Sequence, residues 1–264
     1  MIYNFEAIPN VRGLGGYVMR DGRKIRAGKL VRGGSLAKAT DNDIEQLKGF
    51  GVCHIFDFRS ERERQLFPDR VIEGVKYTWL PTIDMVTDQK VESLPHDAYM
   101  NLEQYLITEA FTEKVQRLAK VMYPDMIANE YTQLQHAAFI QNIINTPDGS
   151  IYWHCSQGKD RTGLGAAFLL FALGADRETV VRDFDMSNDY YRTEIDRVCE
   201  KVRQRGGGEA ELDAVRSFIG VGTKNFEATL DKIDKEYGGI MPYLKNMILV
   251  SDEDMEILRE RYLE

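Results

Sequence analysis

Residues 150–175 read SIYWHCSQGKDRTGLGAAFLLFALGA, an apolar run, a short polar segment and a second apolar run. The first run has the length and residue types of a buried strand, so we predict a strand over residues 150–155. The second run is long enough for a helix, which we predict over residues 161–173 with Gly174 at its end. A strand that leads through a short loop into a helix is the corner at which α/β sheets bind ligands.

The rest of the chain alternates between strand and helix patterns, which predicts an α/β fold with a helical half appended. Further strands are predicted over residues 52–58 and 75–80. Additional helices are predicted in the middle, over about residues 99–145 with an interruption at Pro124, and over about residues 176–264. The inserted middle helices are predicted to pack as core, with a cap over the pocket as the alternative.

Composition narrows the class of protein. The chain has 264 residues, 43% of them apolar, and no linker divides it, so we predict a single domain over residues 1–264. A formal charge of −8 argues against nucleic-acid binding, which needs a basic face. There is no apolar run of membrane-spanning length and no signal-peptide pattern, so we expect a cytoplasmic protein without membrane insertion. Four histidines without ligand spacing predict no metal, and no cofactor is expected. Nothing in the sequence indicates an oligomeric state.

Three segments place an arginine six positions after a cysteine, at residues 53–59, 155–161 and 199–205. The first is a predicted strand, whose amides alternate in direction, and the third is helical, with its amides committed along the axis. Only the second has a small, polar interior with a glycine, SQGKD, whose amides can converge as an anion nest before a helix. Context, rather than spacing, therefore selects Cys155 and Arg161.

Such a loop can bind a tetrahedral dianion and activate a thiol. Arg161 offers a planar fork to two phosphate oxygens. The positive surroundings are expected to lower the pKa of Cys155 from about 8.5 to roughly 3.5–7.5, which produces a nucleophilic thiolate at neutral pH. The alternatives are a small buried residue for Cys155 and a structural ion pair for Arg161. The combination predicts metal-independent, cysteine-based hydrolysis of phosphate esters.

Residues 154–163, HCSQGKDRTG, resemble the HCxxGKDRTG signature of bacterial protein tyrosine phosphatases. Residues 10–16 (NVRGLGG), 29–36 (KLVRGGSL), 57–64 (DFRSERER) and 185–190 (DMSNDY) also resemble segments of that group. The resemblance implies a central mixed sheet flanked by helices and a phosphocysteine intermediate. It also implies activity on phosphotyrosine, often extended to phosphoserine, phosphothreonine and phosphoinositides. The expected partner is therefore a phosphorylated protein or a phosphoinositide.

Two positions depart from the pattern of this group. Gly13 stands where the group usually has aspartate, and Gly33 stands where it usually has serine. Arg12 and Arg32 lie within the same motifs, and we predict that they brace the phosphate loop.

The resemblance also suggests roles around the loop. The loop positions predicted to contact substrate are Ser156, Gln157, Gly158, Lys159 and Thr162. Lys159 is predicted at the rim, where it would hold a second phosphate, with a solvated lysine as the alternative. His154 is predicted to support the loop and the thiolate, with a satisfied core histidine as the alternative. Asp57 and Arg59 are predicted to brace the loop.

Two aspartates are candidates for the general acid, which alkyl leaving groups need more than phenols. Asp160 lies inside the loop, where the resembling group carries an aspartate, and its alternative is a helix N-terminal carboxylate or an ion pair with Arg161. Asp84 follows the strand predicted at residues 75–80, where many phosphatases carry a mobile acid loop, and its alternative is a surface carboxylate. We favour Asp160.

Other hypotheses remain beside the leading one. The chain could be specific for inositol phosphates, be an inactive module that binds phosphorylated ligands, or be a redox or sulfur-transfer protein, which would not need Lys159, Asp160 and Arg161 behind the cysteine. The intact set of Cys155, Asp160 and Arg161 argues against the module. Cys53 and Cys199 are predicted to be structural, although either would form a disulfide with Cys155 if the two were close in space.

Overall fold

The computed structural model describes residues 3–83, 109–146 and 148–264. The candidate acid Asp84 and the first part of the predicted insertion, residues 99–108, lie outside the described residues. In the ranges that are described, no helix has the length and apolar character needed to cross a membrane.

A five-stranded sheet forms the centre of the described chain. In chain order the strands are β1 (Arg12–Gly13), β2 (Leu30–Gly33), β3 (Val52–Asp57), β4 (Lys76–Trp79) and β5 (Ser150–His154). Their spatial order is β1-β2-β5-β3-β4, and β1 is antiparallel to β2 while the other pairs are parallel. β5 is central and all of its residues are buried, as expected for a strand covered on both faces. The prediction of a central mixed sheet is confirmed.

Helices surround this sheet. The α-helices of the described residues are α1 (Asp41–Gly49), α2 (Glu61–Leu66), α3 (Glu109–Ala128), α4 (Glu130–Ile144), α5 (Asp160–Leu173), α6 (Arg177–Tyr190), α7 (Arg192–Gln204), α8 (Glu209–Ile219), α9 (Thr223–Tyr237), α10 (Ile240–Asn246) and α11 (Asp252–Tyr262). A 3₁₀ turn covers Leu36–Lys38. The α/β class with additional helices in the middle and in the C-terminal half is therefore confirmed.

Helix α5 runs through the main core directly after the loop. Every residue of this helix from position 162 to position 173 is buried, and Gly174 ends it in the left-handed conformation with φ 101°. Two of its glycines allow close packing, because a Cβ at Gly163 would lie 2.7 Å from the ring of Phe184 and one at Gly165 would lie 2.8 Å from the ring of Phe58. This packing fixes the helix that follows the loop.

The predicted interruption at Pro124 is wrong. Helix α3 continues through Pro124, and the break comes at Asn129, whose side chain accepts a hydrogen bond from the amide of Thr132 and so starts α4. A proline removes one helical hydrogen bond. Burial of the neighbouring Tyr123 and Ile127 holds the turn together in spite of that loss.

A small group of buried side chains forms a cluster of its own, separate from the main core. We call it the helical subcore; it joins α3, α7 and α8 and consists of Val115, Val198, Cys199, Val202, Leu212, Ala214, Val215, Phe218 and Ile219. The single-domain organisation stays a prediction.

Candidate active site

The loop begins at Cys155, directly after β5, and ends where α5 begins at Asp160. At its centre Gly158 has φ +68°, and a Cβ there would lie 2.3 Å from the carbonyl carbon of Gly33. Only glycine fits this position, because a side chain would both strain the backbone and collide with the neighbouring segment. The loop therefore curls tightly against the end of β2.

The amino-terminal motifs hold the outer face of this loop. The side-chain amide of Asn10 donates to the carbonyl of Gly158 at 2.9 Å. Arg32 donates to the carbonyls of Gly158 and Lys159, both at 3.1 Å. Three hydrogen bonds from these two side chains thus hold two consecutive loop carbonyls. Asn10 belongs to the first quoted motif but was given no role from sequence, since nothing local indicates that it reaches a loop 148 residues away.

Asp183 completes this bracing, a role that its place in the sequence does not indicate. Its carboxylate pairs with Arg32 at 2.6 Å and with Arg12 at 3.3 Å, and all three side chains are almost fully buried. Burial alone would raise the pKa of Asp183, but the two arginines outweigh burial and lower it. The nearest signal was the DMSNDY segment, which begins two residues later. Arg12 and Arg32 lie where the bracing prediction requires.

Packing against tyrosines accounts for the glycines at positions 13 and 33, where the resembling group usually has aspartate and serine. A Cβ at Gly33 would lie 2.4 Å from the hydroxyl oxygen of Tyr152, which itself donates to the carbonyl of Gly34 at 2.6 Å. A Cβ at Gly13 would lie 2.9 Å from the hydroxyl oxygen of Tyr3. The tyrosine hydroxyls take the space in which other residues would place a side chain.

Cys155 is buried at the base of the loop. Burial by itself raises the pKa of the thiol, but the Arg161 guanidinium and the hydroxyl and amide of Thr162 outweigh burial and lower it. The Thr162 hydroxyl has no oxygen or nitrogen partner among the described residues and is fully buried. Thr162 was predicted to contact substrate; its side chain is fully buried beside the sulfur, and the contact stays a prediction.

Arg161 forms a bidentate ion pair with Glu63. Its Nη1 lies 2.6 Å from one carboxylate oxygen and its Nη2 lies 2.7 Å from the other. The same carboxylate accepts from the Ser60 amide at 2.9 Å and from the hydroxyl of Ser156. Burial opposes ionisation of Glu63, but Arg161 and the two serine donors lower its pKa to about 2. Ser156, a predicted substrate contact, thus directs its side chain to Glu63.

Glu63 received no role from sequence, although it lies in the quoted DFRSERER segment. The signal was present: Ser60 and Glu63 have the spacing of a capping box, and the structure shows that box at the start of α2. What the spacing does not indicate is that the same carboxylate also binds Arg161, 98 residues further along the chain.

The predicted rim position of Lys159 is wrong. Its side chain is only 5% exposed, and its ammonium donates to the carbonyls of Phe218, Ile219 (3.0 Å) and Gly220 (2.8 Å). The alternative of a solvated lysine is wrong for the same reason. Its neighbour Gln157, another predicted substrate contact, accepts from the hydroxyl of Tyr191 through its backbone carbonyl at 2.9 Å and its side-chain oxygen at 3.0 Å.

His154 lies beneath the loop in a buried charged network. Its Nδ1 is 3.2 Å from the carbonyl oxygen of Cys155, and its Nε2 is 3.3 Å from a carboxylate oxygen of Asp69. Burial would lower the pKa of His154, but Asp57 and Asp69 outweigh burial and raise it. The structure thus places His154 against the loop backbone, where the supporting role was predicted.

Asp57, Asp69 and His154 bring possible metal-ligand atoms within 4.8 Å of one another. Arg59 already lies in this group, bonded to Asp57 at 2.9 Å and to Asp69 at 2.5 Å, and Tyr77 donates to both carboxylates at 2.6 Å. Besides Arg59, the Arg64 guanidinium lies 3.3 Å from Asp57, and the two carboxylates raise the pKa of His154. Positive groups therefore already surround both carboxylates, and the group does not fit a further cation. Asp57 is opposite His154 in the sheet, with a carboxylate oxygen 3.8 Å from the His154 Nδ1, and Arg59 is bonded to Asp57. Bracing of the loop by this pair stays a prediction.

Asp160 is at the first position of α5. Its carboxylate accepts a hydrogen bond from the hydroxyl of Tyr123 at 2.6 Å and lies 3.9 Å from the ammonium of Lys159. Its side chain is 19% exposed, so the carboxylate keeps some access to solvent. Tyr123, which belongs to the inserted helix α3, was not identified from sequence.

The remaining cysteines lie elsewhere. Cys53 is near the start of β3, where β3 pairs with the start of β5, so it is four to five residues from the level of Cys155. That offset corresponds to roughly 13–16 Å along a strand. A disulfide needs Cα atoms within about 7 Å, so Cys53 does not pair with Cys155 in this fold. Cys199 is buried in the helical subcore. Both thiols are free, and burial raises the pKa of each.

The chain is similar to several known proteins. The chain is 27% identical over 238 residues to the triple specificity protein phosphatase PtpB of Mycobacterium tuberculosis, covering 84% of this chain and 86% of that protein. It is 26% identical over 246 residues to a tyrosine-protein phosphatase of Nostoc commune, covering 90% of this chain and 75% of that protein. The crystal structure of TpbA from P. aeruginosa is similar with a TM-score of 0.35 at 14% identity, over 75% of this chain and 89% of that one.

A family model described as the tyrosine phosphatase family matches residues 3–264. The family and the enzyme class predicted from sequence are thereby confirmed. The chain belongs to the tyrosine phosphatase family.

Proposed function

We propose that this chain hydrolyses phosphate monoesters without a metal, through a phosphocysteine intermediate on Cys155. The observation that carries the proposal is the loop itself, in which a buried thiol with a lowered pKa lies beside Arg161 at a strand-to-helix corner. A lowered pKa raises the fraction of the thiol that is present as thiolate, which is the nucleophilic form.

Binding of the phosphate uses three kinds of positive group. The loop amides and the amino terminus of α5 form the nest, because bound donors already hold the loop carbonyls on the opposite face. Arg161 supplies the charge. Glu63 occupies the Nη1 and Nη2 edge of its guanidinium, which leaves the edge formed by Nε and the second Nη2 hydrogen for two phosphate oxygens. Glu63 is thus proposed to hold Arg161 in its phosphate-binding orientation.

The chemical steps follow from this arrangement. The Cys155 thiolate attacks phosphorus, a sulfur–phosphorus bond forms and the bond from phosphorus to the ester oxygen breaks. The departing oxygen takes a proton from Asp160. Water then attacks the phosphocysteine, Asp160 accepts a proton from that water, and inorganic phosphate leaves as the thiolate is restored.

Asp160 is the proposed general acid, and Asp84 is the alternative. The hydroxyl of Tyr123 fixes the Asp160 carboxylate beside the loop, which supports the choice. We expect Asp160→Asn to reduce turnover of an alkyl phosphate by at least about tenfold more than turnover of an aryl phosphate, since a phenolate leaves without protonation more easily. The comparison is kcat for phosphoserine and phosphotyrosine in matched peptides. Equal losses on both substrates would contradict the assignment.

The substrate class we propose is phosphotyrosine in proteins, extended to phosphoserine, phosphothreonine and phosphoinositides. Support for the wider range comes from the similarity to a protein named as a triple specificity phosphatase. The negative formal charge of the chain, −8, fits a substrate drawn by a local pocket rather than by the overall field.

The test is phosphate release from a phosphotyrosyl peptide in the presence of a chelator. Cys155→Ser is expected to lower turnover by about 10³-fold or more, since the nucleophile acts as part of a unit with its partners. Cys53→Ser is the matched control and is expected to keep normal turnover. Phosphate binding without turnover in the unmodified chain would indicate a binding module. Turnover that survives in Cys155→Ser would contradict the proposal.

A further inference from the structure

Lys159 is one of the loop residues, yet its charge is directed away from the pocket. The ammonium has three N–H donors. In the structure it contacts three backbone carbonyls, those of Phe218, Ile219 and Gly220. Each donor therefore has an acceptor, and none is left for a phosphate.

The three acceptors lie at the carboxyl end of helix α8. The last carbonyls of a helix lack partners within the helix and carry the negative end of its dipole. A buried ammonium at this position satisfies those carbonyls and meets the favourable sign of charge. The ring of Phe218 adds a further contact, with the Lys159 nitrogen 6.0 Å from its centre. Lys159 thus caps α8 from outside the helix.

Helix α8 belongs to the helical subcore, whose buried residues form a cluster separate from the main core. A second contact reaches the same region from the loop, because the hydroxyl of Tyr191, next to α7, donates to Gln157. Gln157 and Lys159 flank Gly158, whose carbonyl is held by Asn10 and Arg32. The loop is therefore clamped between the amino-terminal motifs on one side and the α7–α8 pair on the other.

We propose that Lys159 is a positioning residue that joins the helical subcore to the phosphate loop, and that it does not bind a phosphate of the substrate. To reach a substrate, the ammonium would have to leave all three carbonyls buried without a donor, which costs far more than a surface lysine contributes. Its effect on turnover rests on the proposed function, because it acts through Asp160 and Arg161, the next two residues.

The first test needs no variant. Brief acetylation of the unmodified chain, followed by mass spectrometry, measures how accessible each lysine amine is. Lys48 is the reference, since its side chain is 48% exposed. We expect Lys159 to react at least about tenfold more slowly than Lys48, because reaction requires local opening. Equal rates would overturn the proposal, whatever the enzyme activity.

The second test uses Lys159→Met with Lys48→Met as the matched control. We expect faster hydrogen exchange in residues 209–220 of Lys159→Met and an unchanged rate in β5. We also expect kcat to fall by about tenfold on a phosphotyrosyl peptide and on phosphoinositide vesicles alike, with KM changed less than about threefold, since a misplaced group costs rate rather than binding. Lys159→Arg, which keeps donors and charge, should recover part of both losses.

A loss confined to the phosphoinositide, or unchanged exchange in α8, would overturn the proposal. If Lys159→Met does not fold, the acetylation rates of the unmodified chain still give the answer. If the unmodified chain has no phosphatase activity, the proposed function fails while the acetylation and exchange results still test the connection between the loop and the subcore.

Discussion

Residues 53–59 run along β3 and residues 155–161 follow the parallel neighbour β5, with the same cysteine-to-arginine spacing but opposite properties. In the first segment the strand β3 runs between cysteine and arginine, so Cys53 and Arg59 lie at opposite ends of the sheet. In the second segment the strand has already ended, and the loop curls so that the Arg161 charge acts on Cys155. Burial raises the pKa of Cys53, whereas the surroundings of Cys155 outweigh burial and lower its pKa.

The two arginines differ in the same way. Arg59 is 1% exposed and bonded to Asp57 and Asp69, which makes it part of the support below the loop. Arg161 pairs with Glu63 through Nη1 and Nη2, and its other edge is the one proposed for phosphate. In this account the backbone between cysteine and arginine, rather than the two residue types, determines whether the pair is structural or reactive.

The largest expected effect separates these two arginines. Arg161→Lys should lower kcat/KM by about 10²–10³, because a lysine lacks the planar fork that stabilises charge on the transferring phosphoryl group. Its thermal unfolding should change little. The measurement is phosphate release from a phosphotyrosyl peptide together with a melting curve. Unimpaired turnover would show that Arg161 is only an ion-pair partner of Glu63.

Arg59→Met is the counterpart on the structural side. It leaves Asp57 and Asp69 buried beside each other without their guanidinium, a change that costs about 3–5 kcal/mol of unfolding free energy when a buried ion pair loses one partner. Denaturant unfolding measures the cost. A variant as stable as the unmodified chain would contradict the structural role of Arg59.

A smaller effect is expected when the support of Arg161 is weakened. Glu63→Gln keeps the shape of the side chain but removes its charge, so we expect turnover to fall about tenfold to a hundredfold through misplacement of the arginine. Asp41→Asn, at an exposed ion pair with Arg70, is the matched control and should leave turnover unchanged.

The same variant has a signature in the pH dependence of stability. The folded-state pKa of Glu63 is about 2, below its unfolded value of about 4.3. Its contribution to stability is therefore fully present above about pH 4.3 and is lost as the pH falls toward 2. The unfolding free energy of Glu63→Gln should depend less on pH within that window. An identical pH dependence in both proteins would contradict the depressed pKa.

The loop and the helix after it could be predicted from the sequence because the residues that determine them are close together in the chain. A glycine within a polar segment between two apolar runs specifies the corner, and the capping residues mark where helices begin. The helix interruption predicted at Pro124 was wrong because helix propensity is a local property, whereas burial of Tyr123 and Ile127 holds the helix together. The prediction that Lys159 lies at the rim was also wrong. A lysine in a loop is expected at the surface, and its three acceptors lie about 60 residues away in sequence.

The sequence contains the residues that support the site, but it does not show which residues they contact. Glu63 and Asn10 lie within quoted motifs, yet each acts across a long sequence separation, on Arg161 and on the carbonyl of Gly158. Asp183 lies within a helix whose pattern indicates only that one face is buried. Such roles depend on which helices and strands the fold brings together. The residue pattern of a single sequence does not indicate these long-range contacts.

The most direct measurement compares how Cys155 and Cys53 react with iodoacetate as the pH is raised from 5 to 9. We predict that Cys155 is alkylated near pH 6 and is protected by inorganic phosphate, because it is a thiolate in an anion-binding loop. Cys53, at the same spacing from an arginine, should react only at alkaline pH and without protection. One pH dependence for both thiols, or no protection of Cys155, would contradict the claim that the loop makes Cys155 the nucleophile.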